Sequence, residues 1–247
     1  MGRTHFPPSS IHRPVVWVVG ASRGIGAEIA LQFASIGCTV CLSSRSMRRL
    51  VELRKRIVNL GGEADVFPCD VTSRGSVKST FSRIQQRYHA IDVLINNAGV
   101  TVFKDFQHTS IEKTDEILQT NLRGPLLCVK NVLPAMIARR SGWIMNIISN
   151  AALKTFEDSA AYTATKAGLL GFSRVLREET RKYNIRVVSI IPGPTETEMW
   201  SRRDRKRFRY RMMSAKSVAE AILAVYQMPP DVVVDDIHLR PILGDID

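Results

Sequence analysis

The stretch Val15-Val16-Trp17-Val18-Val19-Gly20-Ala21-Ser22-Arg23-Gly24-Ile25-Gly26 decides the architecture. Five consecutive apolar residues suit a strand covered on both faces. The glycines that follow permit a sharp turn and a close approach of the backbone to a ligand. Ala27–Ile36 then has a helical pattern, so the turn opens a helix whose N-terminus favours an anion such as a pyrophosphate. Alone, a glycine cluster is an ordinary tight turn, and Gly-x-x-x-Gly-x-Gly differs from the commoner Gly-x-Gly-x-x-Gly. Its position between a strand and a helix, with a second strand following, points to a dinucleotide site.

Outward from there, apolar runs recur at Thr39–Leu42, Ala64–Phe67, Ile91–Ile95, Trp143–Ile148, Ile185–Ile191 and Val232–Val234. Between them, Val77, Phe81, Ile84 and Tyr88 follow one helical face. Thr109-x-x-Glu112 and Ser217-x-x-Glu220 have the form of capping boxes. Alternation of this kind predicts an α/β protein with a doubly wound parallel sheet, the Rossmann fold. The chain of 247 residues shows no linker, repeat or low-complexity tract. It reads as a tail over 1–14 and a single domain over 15–247.

Composition narrows the class. No stretch approaches the roughly 20 apolar residues of a membrane span. The first fourteen residues hold two His, two Arg and three Pro, with no apolar core for a signal peptide. A cytoplasmic location is expected, and the short acid-free start is a weaker pointer to an organelle. Cys38, Cys41, Cys69 and Cys128 are too few for a disulfide scaffold. Cys38-x-x-Cys41 brackets strand residues that point to opposite faces, so buried structural thiols in a reducing compartment are expected.

The net charge of +12 is concentrated in Arg45–Arg56, at +5, and Arg202–Arg211, at +6, leaving +1 for the rest. Two local patches argue against a general nucleic-acid coat. His5, His12, His89, His108 and His238 show no ligand spacing, and no metal is expected. His108 reads as a loop surface residue that could also edge a substrate cleft.

The end of the second strand bears on which dinucleotide is used. An acid there would bind the adenosine ribose and repel a 2′-phosphate. The chain instead has Leu42-Ser43-Ser44-Arg45-Ser46. Arg45, with Arg23 from the glycine loop, suits a phosphate, so NADP(H) is the expected cofactor; the bland alternative is two solvated arginines. Arg48, Arg49, Arg54, Lys55 and Arg56 read as the solvated face of a helix whose apolar face carries Leu50, Leu53 and Ile57.

Further landmarks are Cys69-Asp70-Val71, Asn96-Asn97-Ala98-Gly99, Asn121, Ser149, Tyr162-x-x-x-Lys166 and Pro192-Gly193. In this order and spacing, with thirteen residues from Ser149 to Tyr162, the chain resembles the short-chain dehydrogenase/reductase family along nearly its whole length. The ending Asp235-Asp236-Ile237-His238-Leu239-Arg240-Pro241 resembles the branch of NADP-dependent 3-hydroxy acid and serine dehydrogenases. Departures from the family pattern are Val19, Ile148 and Ile191, none of which removes a reactive group.

Tyr162 and Lys166 are four apart on one helix face. A phenol titrates near 10 in water, and a nearby ammonium is expected to bring it down toward the working range. The resemblance implies Tyr162 as acid or base, Lys166 also holding the nicotinamide ribose, Ser149 polarising a carbonyl and Asn121 interrupting its helix to hold a relay water. It places Asp70 and Val71 at the adenine, Asn97, Ala98 and Gly99 along the cofactor, and Thr197 at the carboxamide. Gly20, Ser22, Arg23, Gly24, Ile25, Gly26, Arg45, Pro192 and Gly193 complete the expected cofactor residues. Asp70 is alternatively a helix cap.

The implied reaction interconverts a ketone and a secondary alcohol by hydride transfer, on a small hydroxy acid or related carbonyl compound. A 3-oxoacyl thioester reductase is the alternative, and a weakly catalytic NADP-bound sensor a more remote one. Substrate-reading loops are expected at Val100–His108, Asn150–Asp158 and Glu196–Arg211. Within a flap around 194–214, the arginines are either a solvated basic helix or recruiters of an anionic substrate. The family implies a homodimer or homotetramer. Ala160, Ala161, Ala164, Ala167 and Gly168 suit close helix pairing across a two-fold axis, or packing on the sheet.

Overall fold

The computed structural model describes residues 13–246, so the expectations for the first twelve lie outside the described residues. Strands β1 (Val15–Val19), β2 (Thr39–Ser43), β3 (Glu63–Val66), β4 (Val93–Asn96), β5 (Gly142–Ile147) and β6 (Ile185–Pro192) run parallel. A separate parallel pair, β7 (Thr195–Glu196) and β8 (Met213–Ser214), lies beyond them. Strand β9 (Asp236–Leu239) rejoins the main sheet beside β6, giving the order β3-β2-β1-β4-β5-β6-β9. The order reverses between β1 and β4, where a doubly wound sheet opens a crevice at the carboxyl ends of its strands.

The helices are α1 (Gly24–Ser35), α2 (Met47–Asn59), α3 (Arg74–Tyr88), α4 (Ile111–Leu118), α5 (Gly124–Arg139), α6 (Ala160–Thr180), α7 (Arg202–Phe208) and α8 (Ala215–Tyr226). They cover both faces of the sheet, which is why β1 is apolar throughout. Val16 and Val18 join the core under α1, α2 and α8, while Val15, Trp17 and Val19 join the core under α3 and α5. Cys38 and Cys41 fall into these opposite cores as free buried thiols. The one polar atom of fully buried Trp17 is satisfied: its Nε1 donates to Ser43 Oγ at 2.9 Å, which donates to Phe67 O.

Three local expectations are corrected. Val232–Val234 is loop, with Val232 and Val233 exposed, and the strand begins four residues later. That strand is held by Arg177, which is buried and donates to Val187 O (2.9 Å), Asp235 O (2.6 Å) and Asp236 Oδ1 (2.7 Å). The cap of α4 is Ser110, whose hydroxyl accepts from Lys113 N; Thr109 Oγ1 instead donates to Asp105 O. The cap of α8 is Ser214, not Ser217. At both helices a neighbouring serine satisfies the free N–H groups instead.

On α6, Ala160, Ala164, Ala167, Gly168 and Gly171 face outward, together with Val175. The inward side carries Leu169, Leu170 and Leu176. Of the two packings open to the small residues, the structure has most of them away from the sheet.

Candidate active site

Every site residue expected from the sequence follows the carboxyl end of a strand or sits in a helix beside one. Gly20 leaves β1 at φ +90° and a Cβ there would lie 2.5 Å from Ala98 N. A Cβ on Gly26 would lie 2.3 Å from Gly20 O and 2.4 Å from Asn97 Nδ2. Only glycine fits at either position. Asn97 Nδ2 donates to Gly20 O at 2.8 Å, and Gly20 N donates to Ser43 O at 2.7 Å. The turn is thereby tied to the ends of β2 and β4 and leaves the N-terminus of α1 facing a cavity of about 930 Å³.

That cavity tests the fit of a dinucleotide. It is large enough for a long ligand, and Gly20, Ser22, Arg23, Gly24 and Ile25 line it. Arg45, Asp70, Val71, Asn97 to Gly99, Pro192, Gly193 and Thr197 line it too, and a Cβ on Gly99 would lie 3.9 Å from Lys166 Nζ. Gly26 is absent from the lining because it packs beneath the turn. A cradle in which added Cβ atoms would collide, at a helix N-terminus, beside an arginine, fits a pyrophosphate with a phosphorylated adenosine. The cap alternative for Asp70 is overturned: Ser73 caps α3, and Asp70 Oδ1 accepts from Thr72 N and Thr72 Oγ1.

Tyr162 and Lys166 project from the first turns of α6 into the same cavity, with Ser149 opposite at the end of β5. The Lys166 ammonium lies 5.6 Å from the Tyr162 ring centre and donates to Ile147 O at 2.7 Å. Burial lowers its pKa to about 8. The expected lowering of the phenol is reversed: burial raises the Tyr162 pKa, and the hydrogen bond with Ser149 opposes that rise. The physical reason is that the ammonium caps the ring face and spends a proton on a carbonyl, while the phenol has left water.

Asn121 lies in a π-turn, Gln119–Arg123, between α4 and α5, so the expected interruption of its helix is present. Its side chain grips the backbone of Val100 at both ends, Oδ1 accepting from N and Nδ2 donating to O, each at 2.8 Å. Nδ2 also donates to Thr165 Oγ1 on α6 at 3.3 Å. A wide turn of this kind recurs at functional sites.

Phe103, Phe156, Met199, Trp200, Phe208 and Ile246 also line the cavity. The Phe103 and Trp200 rings stack 5.3 Å apart, joining the loop after β4 to the flap. No arginine of 202–211 lines this cavity; Glu157 and Lys113 do. His108 is exposed and paired with Asp105, away from the cleft.

Sequence reasoning missed Arg49 and Glu198. Arg49, read as part of a solvated face, lines the cavity and donates to Glu198, as does Arg23. Its place in the first turn of α2, four residues beyond Arg45, was the available signal.

The model of the short chain dehydrogenases matches residues 14–207. A sepiapterin reductase of Chlorobaculum tepidum is 32% identical over 239 residues, covering 94% of this chain and 98% of its own. Among solved structures, a metagenomic short-chain oxidoreductase in complex with NADP aligns with a TM-score of 0.83 at 31% identity, over 94% of this chain and 99% of that one. The closed form of a serine dehydrogenase complexed with NADP+ aligns with a TM-score of 0.87 at 27% identity, over 94% and 96%. By that family match, which the strand order and the glycine turn accompany, the chain belongs to the short-chain dehydrogenase family.

Proposed function

We propose that this protein is an NADPH-dependent carbonyl reductase that converts a ketone to a secondary alcohol. The observation that carries the reading is the convergence of Ser149, Tyr162 and Lys166 on one cavity with the glycine turn. The turn Gly20–Gly26 holds the pyrophosphate, Arg45 and Arg23 the 2′-phosphate, and Asp70 with Val71 the adenine. Asn97 to Gly99, Lys166, Pro192, Gly193 and Thr197 hold the nicotinamide riboside. When bound, the cofactor supplies a hydride to the carbonyl carbon.

The chain's own residues handle the proton. Burial keeps the Tyr162 phenol protonated through neutral pH, which suits a donor to the carbonyl oxygen and hence reduction. Ser149 Oγ donates to the same oxygen and polarises it. The Lys166 ammonium, close to the ring, stabilises the phenolate left after transfer. Asn121 holds the loop at Val100 against α6 and, through its π-turn, positions the water that returns the proton. The aromatic wall at Phe103, Phe156, Trp200 and Phe208 suits a carbonyl flanked by apolar groups. Glu157 and Lys113 also line the cavity, so the carboxylate of a small hydroxy acid is disfavoured beside Glu157 and favoured beside Lys113.

A panel of ketones and hydroxy acids, assayed with NADPH and NADH, tests the reading. Tyr162→Phe should lose about 10²-fold or more in turnover while still binding NADPH. Arg45→Ala should shrink the preference for NADPH, and an unchanged preference would refute the assignment of that arginine. We further propose a homodimer built on the outward small-residue side of α6, read by light scattering, and a cytoplasmic setting consistent with four unpaired buried thiols.

A further inference from the structure

Arg23 and Arg49 both donate to one oxygen, Glu198 Oε2, each at 2.9 Å. The three residues come from the glycine loop, the first turn of α2 and the flap, so one carboxylate bridges segments that are remote in sequence. A small pocket next to the main cavity is lined by these three with Trp200, Arg202 and Arg205. Four arginines therefore surround one acid, leaving an excess of positive charge. The Arg205 Nε is buried there without a partner among the described residues. The two bonded arginines hold the Glu198 carboxyl below its ordinary range.

We propose that Arg49 is a further 2′-phosphate ligand and that Glu198 is its built-in competitor, so that phosphate binding releases the flap from the glycine loop. The inference rests on the NADPH reading above. A phosphate dianion offers more acceptor oxygens and more charge than a carboxylate, and guanidinium groups pair well with it. Once the phosphate takes Arg23 and Arg49, Glu198 loses both its partners and the segment 197–212 loses its tie to α2. NADH, lacking that phosphate, leaves the bridge intact. Discrimination between the two cofactors then resides partly in the flap, beyond Arg45.

The probe is 2′,5′-ADP, with 5′-AMP as the phosphate-free control, titrated calorimetrically against wild type, Glu198→Gln and Arg49→Ala. Glu198→Gln should bind 2′,5′-ADP about three- to tenfold more tightly, as expected for exposed ion pairs, with 5′-AMP unchanged. Arg49→Ala should weaken 2′,5′-ADP and spare 5′-AMP. In parallel, 2′,5′-ADP should speed tryptic cleavage within Arg202–Arg211 in wild type. Glu198→Gln should be cleaved fast from the outset and be indifferent to the probe. Wild type binding both nucleotides equally would overturn the NADPH reading and this inference with it. Wild type preferring 2′,5′-ADP, with neither variant altering that preference, would overturn this inference alone.

Discussion

Replacing Lys166 with methionine should make the folded chain more stable at neutral pH while removing its catalysis. Lys166 is 4% exposed, and its ammonium donates to the carbonyl of Ile147 at 2.7 Å. Burial takes its pKa from 10.5 to about 8, a depression that corresponds to about 3 kcal/mol. The unfolded chain keeps this proton up to the ordinary lysine range, whereas the folded chain sheds it near 8. Between those values the unfolded state binds more protons, so stability rises with pH. The cost is thus present in full below about pH 8 and is gone above the ordinary lysine pKa. Methionine fills a similar space without charge, but leaves the Ile147 carbonyl unpaired at a cost of about 1–2 kcal/mol. The net gain is about 1–2 kcal/mol near pH 7. Urea unfolding of wild type and variant at about pH 7 and about pH 9.5 measures it, and the difference cancels the other buried groups that titrate. The gap should shrink or change sign at the higher pH. A variant less stable than wild type at neutral pH, or a gap that ignores pH, refutes the claim that the lysine is held charged against its surroundings.

Gly26→Ala should abolish NADPH binding by calorimetry and lower stability by about 1–3 kcal/mol, because the new methyl would meet Gly20 O at 2.3 Å; wild-type affinity contradicts the tightness of the turn. Arg177→Met takes one donor each from Asp236 and the carbonyls of Val187 and Asp235, leaving Asp236 with Arg174 and the Asp235 carbonyl with Ser189 N. It should cost about 3 kcal/mol, or a melting temperature lower by about 6–12 °C, with a smaller loss for Asp236→Asn. All four thiols have raised pKa values, Cys38 to about 11, with burial the chief cause. Ellman's reagent should therefore react slowly with the folded chain at about pH 8 and quickly with all four after denaturation.

Much of this site was legible because its parts are local. The glycine turn, Tyr162 with Lys166 and the strand ends each announce themselves within a few residues, and the parallel sheet brings those ends to one rim. Arg49 and Glu198 were not legible, because their meeting depends on how the flap lies across the cavity. The phenol's direction of shift was misread for a related reason: the four-residue spacing shows that an ammonium is near, but not how much water has been removed. Val232–Val234 misled because apolar content marks a buried strand, whereas the actual edge strand is secured by a buried arginine.

The pairing of Thr195–Glu196 with Met213–Ser214 brings the two ends of the flap side by side. Whatever lies between them begins and finishes at one place, so its length and wording can drift without disturbing the sheet or the placement of Ser149 after β5 and of Tyr162 and Lys166 on α6. Such a cassette lets one oxidoreductase chemistry be turned toward new molecules by rewriting a single insert, and it marks the segment to exchange when redirecting this enzyme by design.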